Sequence, residues 1–175
     1  VLMPKSTVYR FLNTMKTLGY VAQEGDSEKY NLTLKLFELG ARALQNVDLI
    51  KFADVQMREL SEQTHETIHL GAFEEDSIVY IHKIDSLYNL RMYSRIGRRN
   101  PLYSTAIGKV LLAWRDEQEV RDILKPVEFK AHTANTIMDV DTLVQDLVKV
   151  KGQGYAEDNE EMEIGLRCIA VPVFD

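Results

Sequence analysis

The chain has 175 residues, a single cysteine and no acidic side chain before Glu24. It also has no long apolar run. Each deficit excludes something. One thiol, Cys168, cannot build an intrachain disulfide framework, and that usage suits a reducing cytoplasm. No apolar stretch approaches the ~20 residues that a membrane-spanning helix needs. The start is amphipathic rather than a charged stub with an apolar core, so no signal peptide is expected. No repeat or low-complexity tract is present. The apolar share of 45% and charged share of 27% are those of a globular protein.

The missing acids at the start matter most. Net charge is −6, yet residues 1–23 hold Lys5, Arg10 and Lys16 without an acid. A small basic head on an acidic body fits local docking on a polyanion better than general nucleic-acid adhesion. Within that head, residues 4–18 read as one helix. Pro4 suits a first turn, and Gly19 suits the position just past the end. Val8, Phe11, Leu12, Met15 and Leu18 recur at helical spacing and form the expected core face. The other face carries Lys5, Ser6, Tyr9, Arg10, Asn13 and Lys16. Lys and Arg neutralise phosphates, Ser and Tyr donate to them, and Arg and Asn read base edges in pairs of bonds. The interface residues expected on DNA are Lys5, Ser6, Thr7, Tyr9, Arg10 and Asn13.

Two short runs follow, 20–23 and 29–32, around a turn of Gly, Asp and Ser. They read as a hairpin. A reading helix followed at once by a hairpin is the end of a winged helix-turn-helix. The apolar period from Leu34 to Leu44 gives a further helix, and another runs through Phe52, Val55, Met57 and Leu60 to about Thr64. Asp48 suits the cap of that helix.

Alternation then replaces the helical period. Residues 67–73 and 78–84 read as antiparallel strands around an acidic turn, with a third strand at 90–93. Residues 95–101 read as a basic loop. Ser104 or Thr105 caps a helix through Leu111, Leu112 and Trp114. A short helix follows at 117–124. Asp139 or Asp141 opens another, with Leu143, Leu147, Val148 and Val150 inward, ending near Gly152 and Gly154. Residues 157–163 read as an acidic loop, and 167–174 as a final strand. This order is α+β with an antiparallel sheet.

Three constellations carry possible chemistry. His65-Glu66-Thr67-Ile68-His69 matches the H-E-x-x-H zinc-hydrolase pattern, which needs both His on one helical face with Glu as base. The helix is expected to end near Thr64, so the two imidazoles do not converge. No convincing third ligand follows, although His82 is a candidate. Cys168 with His82 and Asp158 has the residue types of a nucleophilic triad. Cys168 lies in an apolar strand, however, and buried cysteines are usually packing. The third constellation is the stretch from Ser86 to Arg115. It holds six basic residues and no acid. At its centre a helix opens at Ser104-Thr105-Ala106-Ile107, and unpaired N–H groups with a positive dipole end suit a carboxylate.

Residues 4–10, 18–21 and 30–40 resemble the end of the DNA-binding domain of IclR-type bacterial transcription regulators. Residues 101–109 and 165–175 resemble that family's effector domain, and the order is colinear. The resemblance implies a partial winged helix in 1–33, a linker helix in 34–47 that helps form a dimer, and an effector domain in 48–175. That domain would be a GAF/profilin-like antiparallel sheet with flanking helices. The family continues at both ends, so truncation at both is expected. By the same resemblance Met92, Ser104, Thr105, Ala106 and Ile107 face one side of an effector, and Asp158, Leu166 and Cys168 the other. Asp158 or Glu161 would accept hydroxyls. The implied partners are double-stranded operator DNA, a sugar acid such as 2-keto-3-deoxygluconate, and a second copy as homodimer or dimer of dimers. The implied protein is a repressor of sugar-acid genes, without cofactor, metal or catalysis. The alternatives are the zinc hydrolase and a ligand sensor with no DNA binding.

Overall fold

The computed structural model describes residues 3–25, 27–45, 48–88 and 94–174. The chain divides into two compact units, Val1–Phe52 and Ala53–Asp175.

In the first unit, helix α1 runs Lys5–Thr17. Pro4 precedes it as the N-cap, and its carbonyl accepts from the N–H groups of Thr7 and Val8. Gly19 follows at φ +79°, a left-handed value that glycine adopts without strain. Its N–H donates to Lys16 O, and that of Tyr20 to Met15 O, so the last carbonyls of the helix are satisfied. Strands β1 (Val21–Gln23) and β2 (Tyr30–Leu32) pair antiparallel, with Val21 opposite Leu32. Helix α2 spans Leu34–Gln45. A clamp joins these pieces. Thr33 Oγ1 donates to Gly19 O at 2.6 Å, Lys35 Nζ donates to Leu18 O at 2.7 Å, and the same ammonium lies over the Tyr20 ring.

The expected core face of α1 needs correction. Among its described residues none is buried, and Phe11 is 59% exposed and Leu18 52%. Of that face only Val8, Leu12 and Met15 are half-buried. The hairpin is too small to cover an apolar stripe three turns long.

Helix α3 (Asp48–Thr64) leads into the second unit. Strands β3 (Ile68–Glu74), β4 (Ser77–Ile84) and β5 (Arg99–Pro101) form one antiparallel sheet in that order. Helices α4 (Ala106–Ala113), α5 (Glu117–Leu124) and α6 (Val140–Gln153) follow. Strands β6 (Ala156–Asn159) and β7 (Arg167–Ala170) make a second, two-stranded sheet. The core gathers on α4: Val110 and Leu112 pack with Ile78 of the first sheet, Leu143 and Val150 of α6, and Ala156 of β6. Burying such side chains stabilises by about 1.5–3 kcal/mol each. Gly108 lets α4 approach so closely, because a Cβ there would overlap the backbone of Leu102.

Several expectations are revised. Residues 99–101 form strand β5 rather than a loop. Arg99 Nε donates to Ser77 Oγ at 2.7 Å and its guanidinium to Glu74 O, so polar groups hold this edge where apolar alternation is missing. Residues 156–159 form strand β6, so the acidic loop begins later than expected. The last strand stops at Ala170 rather than 174. Val148 points outward, 70% exposed. The expected strand at 90–93 lies outside the described residues. Among the described residues, no helix is long and apolar enough to cross a membrane.

Candidate functional sites

The first site is the polar face of α1. Lys5, Ser6, Tyr9, Arg10 and Asn13 are exposed, and Thr7 is half-buried. Helical spacing puts Ser6, Tyr9, Arg10 and Asn13 on one face. Their side chains meet no partner among the described residues, so donors and charge stand free for an incoming surface. Lys16 differs: its ammonium donates to Gln23 Oε1 at 3.0 Å, which ties it to the hairpin.

The second site lies around the start of α4. Thr105 is the N-cap. Its Oγ1 accepts from Gly108 N at 3.1 Å and donates to Pro101 O at 2.8 Å. That side chain is committed to capping, so Thr105 can offer a ligand only its backbone. The N–H groups of Ala106 and Ile107 are the first of the helix and have no intrahelical partner. Ser104 is fully buried, and its Oγ lies 3.5 Å from Met162 Sδ. The Ile107 side chain faces Gly71 of β3, where an added Cβ would stand 2.8 Å from Ile107 Cγ2.

Opposite stands the β6–β7 hairpin. Asp158 and Cys168 face each other in its register. Asp158 is buried, and its Oδ1 accepts from Glu161 N at 2.7 Å and Met162 N at 3.4 Å. Burial pushes its carboxyl above the usual range, against those N–H groups and Lys109. Glu161 is raised by burial as well, with Lys109 opposing and Asp158 adding. Leu166 is half-buried, and its carbonyl accepts from Glu160 N at 3.1 Å. Tyr80 of β4 lies within electrostatic reach of Cys168, Arg98 and Asp158, and its ring stacks on His69 at 4.3 Å.

The start of α4, Asp158, Cys168 and their hairpin thus stand around one region. Met92 lies outside the described residues. Two surface grooves, of about 440 and 400 Å³, are lined by none of the candidate residues. Sequence reasoning missed Lys109, Tyr80 and the Thr133–Thr136 contacts to the hairpin turn. Only Lys109 left a signal: a single charge inside an otherwise apolar helix.

The catalytic constellations do not assemble. Helix α3 ends at Thr64, and His65 takes a left-handed φ of +59°. His69 sits on β3 with Nε2 2.7 Å from Ser94 Oγ. The two His are therefore not one helical turn apart. His82 Nε2 is 2.7 Å from Asp54 Oδ1, which occupies it between β4 and α3. Among the described residues no group of three or more His, Cys, Asp or Glu could hold a metal ion. Burial, with the Asp158 charge adding, pushes the Cys168 thiol up to about 11, the opposite of an activated nucleophile.

Comparison with known proteins identifies the family. Residues 41–175 match the family model described as "Bacterial transcriptional regulator IclR C-terminal", and residues 3–25 match "IclR helix-turn-helix domain". The whole chain is 77% identical to the HTH-type transcriptional regulator KdgR of Escherichia coli K12 and covers 66% of its length. It is 76% identical to KdgR of Dickeya chrysanthemi and covers 57% of that protein. The crystal structure of Thermotoga maritima IclR superposes with a TM-score of 0.76 at 37% identity, over 99% of this chain and 70% of that one. These relatives are regulators rather than enzymes. With both family models matched in order, and the α4–hairpin region inside the longer match, the chain belongs to the IclR family of bacterial transcriptional regulators.

Proposed function

We propose that this protein is a cytoplasmic repressor of sugar-acid catabolism genes. It binds operator DNA as a dimer through α1 and is released by a small carboxylate such as 2-keto-3-deoxygluconate. The observation that carries the reading is the identity with KdgR proteins along the entire chain, from the polar face of α1 to the β6–β7 hairpin. The geometry supports it at both ends. The open cationic face of α1 suits phosphates and base edges. The first N–H groups of α4 suit a carboxylate, and Asp158, whose Oδ2 takes part in neither N–H bond, suits hydroxyls. An effector changes operator binding only if it binds two arrangements of the protein with different affinity.

The test is a gel shift of the full-length protein on its own promoter, with competitor DNA, titrated with 2-keto-3-deoxygluconate and with gluconate. The expected result is a sequence-selective complex that dissolves with the keto acid. A protein that binds the keto acid and shifts no promoter fragment would be a sensor without DNA binding. A protein that does neither would overturn the whole reading.

A further inference from the structure

A lysine stands on the buried side of an otherwise apolar helix. Helix α4 reads AIGKVLLA, and Lys109 within it is 3% exposed. A buried ammonium must be paired or give up its proton. Lys109 Nζ lies 2.6 Å from Glu161 Oε1 and 3.2 Å from Asp146 Oδ2 of α6. Glu161 is itself 6% exposed, and its other oxygen, Oε2, is buried with no partner among the described residues. Buried pairs of this kind add little stability over well-packed apolar residues of similar volume. An orphaned buried oxygen reduces even that gain. Stability alone does not account for the pair.

The backbone around Glu161 supplies another account. Glu161 belongs to the turn of residues 158–162. Thr133 Oγ1 donates to Glu160 O at 2.6 Å, and Thr136 Oγ1 donates to Glu161 O at 2.7 Å. Asp158 caps the turn from within through Glu161 N and Met162 N. Glu160 holds φ +59°, which a non-glycine residue keeps only when its surroundings impose it. Loop 133–136 grips the turn from one side, and Lys109 grips it from α4. One helical turn before Lys109 lies Thr105, the cap of the same helix.

We propose that Lys109 is a positioning residue for the effector. By pairing with Glu161 it fixes the 158–162 turn in the shape that presents the Asp158 carboxylate to a ligand at the start of α4. The inference rests on the effector site proposed above. Lys109 itself does not touch the ligand; it acts through Glu161. The Lys109 charge also favours the ionised form of Asp158, the form that accepts hydroxyl protons.

The test compares the full-length parent with K109M/E161M and with E161Q. Binding of 2-keto-3-deoxygluconate is measured by calorimetry. Thermal midpoint and effector-free operator affinity are measured beside it. The double variant removes both buried charges, and the carboxylate it leaves unpaired, Asp146, is partly exposed to water. Its midpoint and operator affinity should stay near the parent's while the effector Kd rises at least tenfold. E161Q keeps the volume and leaves Lys109 with Asp146, and its Kd should rise at least threefold. A role in stability alone would move Kd only together with the midpoint, and that result overturns the proposal. A parent-like Kd in either folded variant overturns it as well. If the double variant does not fold, E161Q decides. If the parent binds no sugar acid, the effector reading fails and takes this inference with it. If parent and variants bind alike, only this inference fails.

Discussion

At the scale of single residues, the chain spends its special positions on approach and capping. Thr105, Asp139 and Gly19 end or begin helices as their side chains, or the lack of one, dictate. Gly19 was legible, and each N-cap was narrowed to two residues, Ser104 or Thr105 and Asp139 or Asp141, because a cap is a local matter of one residue and its next three neighbours. Lys109 was legible only as an odd charge in an apolar helix; its pairing was not, because Glu161 is 52 residues away. His69 gives the residue-scale prediction. Burial first, then Lys83, lowers its pKa from 6.5 to about 4. Between those values the unfolded chain takes up a proton that the folded chain refuses, so stability present above about pH 6.5 is lost as pH falls towards 4. The stability lost across that window is at most about 3 kcal/mol. Urea midpoints of parent and H69Q should therefore converge or cross as pH falls from 7.5 to 4.5. Parallel curves would show that His69 carries no such linkage.

At the scale of elements, strong periodicity was readable and polar pairing was not. Helices α2 to α6 and the β3–β4 hairpin follow from apolar spacing. Strand β5 is written Arg99-Asn100-Pro101 and β6 is written Ala156-Glu157-Asp158-Asn159. Neither shows the alternation that marks a strand. Each is a strand because a partner offers it hydrogen bonds, which is tertiary information. The core face of α1 failed for a related reason: spacing says which residues share a face, not whether anything covers it. The prediction at this scale concerns the opposite face. Arg10 is exposed there with no side-chain partner among the described residues, so R10A should leave folding and effector binding unchanged. It should weaken operator binding by about 1–3 kcal/mol if it reads a base, or reduce the salt slope by about one if it meets a phosphate. Fluorescence anisotropy at several salt concentrations distinguishes the two. An unchanged affinity and slope would remove Arg10 from the interface.

At the scale of the whole molecule, docking chemistry and sensing chemistry occupy different stretches of the sequence. The cationic face lies before residue 24, and the effector candidates lie after residue 90. A ligand that binds only the folded form raises stability by about 2.7 kcal/mol at a hundredfold excess over its Kd. The full-length protein should therefore melt several degrees higher in saturating 2-keto-3-deoxygluconate than in gluconate. Identical melting curves by scanning calorimetry would speak against a sugar-acid sensor. The contact between Ile107 and Gly71 bears on how such a sensor changes over time. Ile107 rests on the bare backbone of Gly71, so a missing methyl group sets how low α4 rides over its sheet. Add that methyl, and the branched side chain above it must shift or shrink, or the floor and ceiling must part. Positions 71 and 107 are therefore a single adjustable spacer, and swapping the bulk between them is a route by which this scaffold can be retuned to acids of another size.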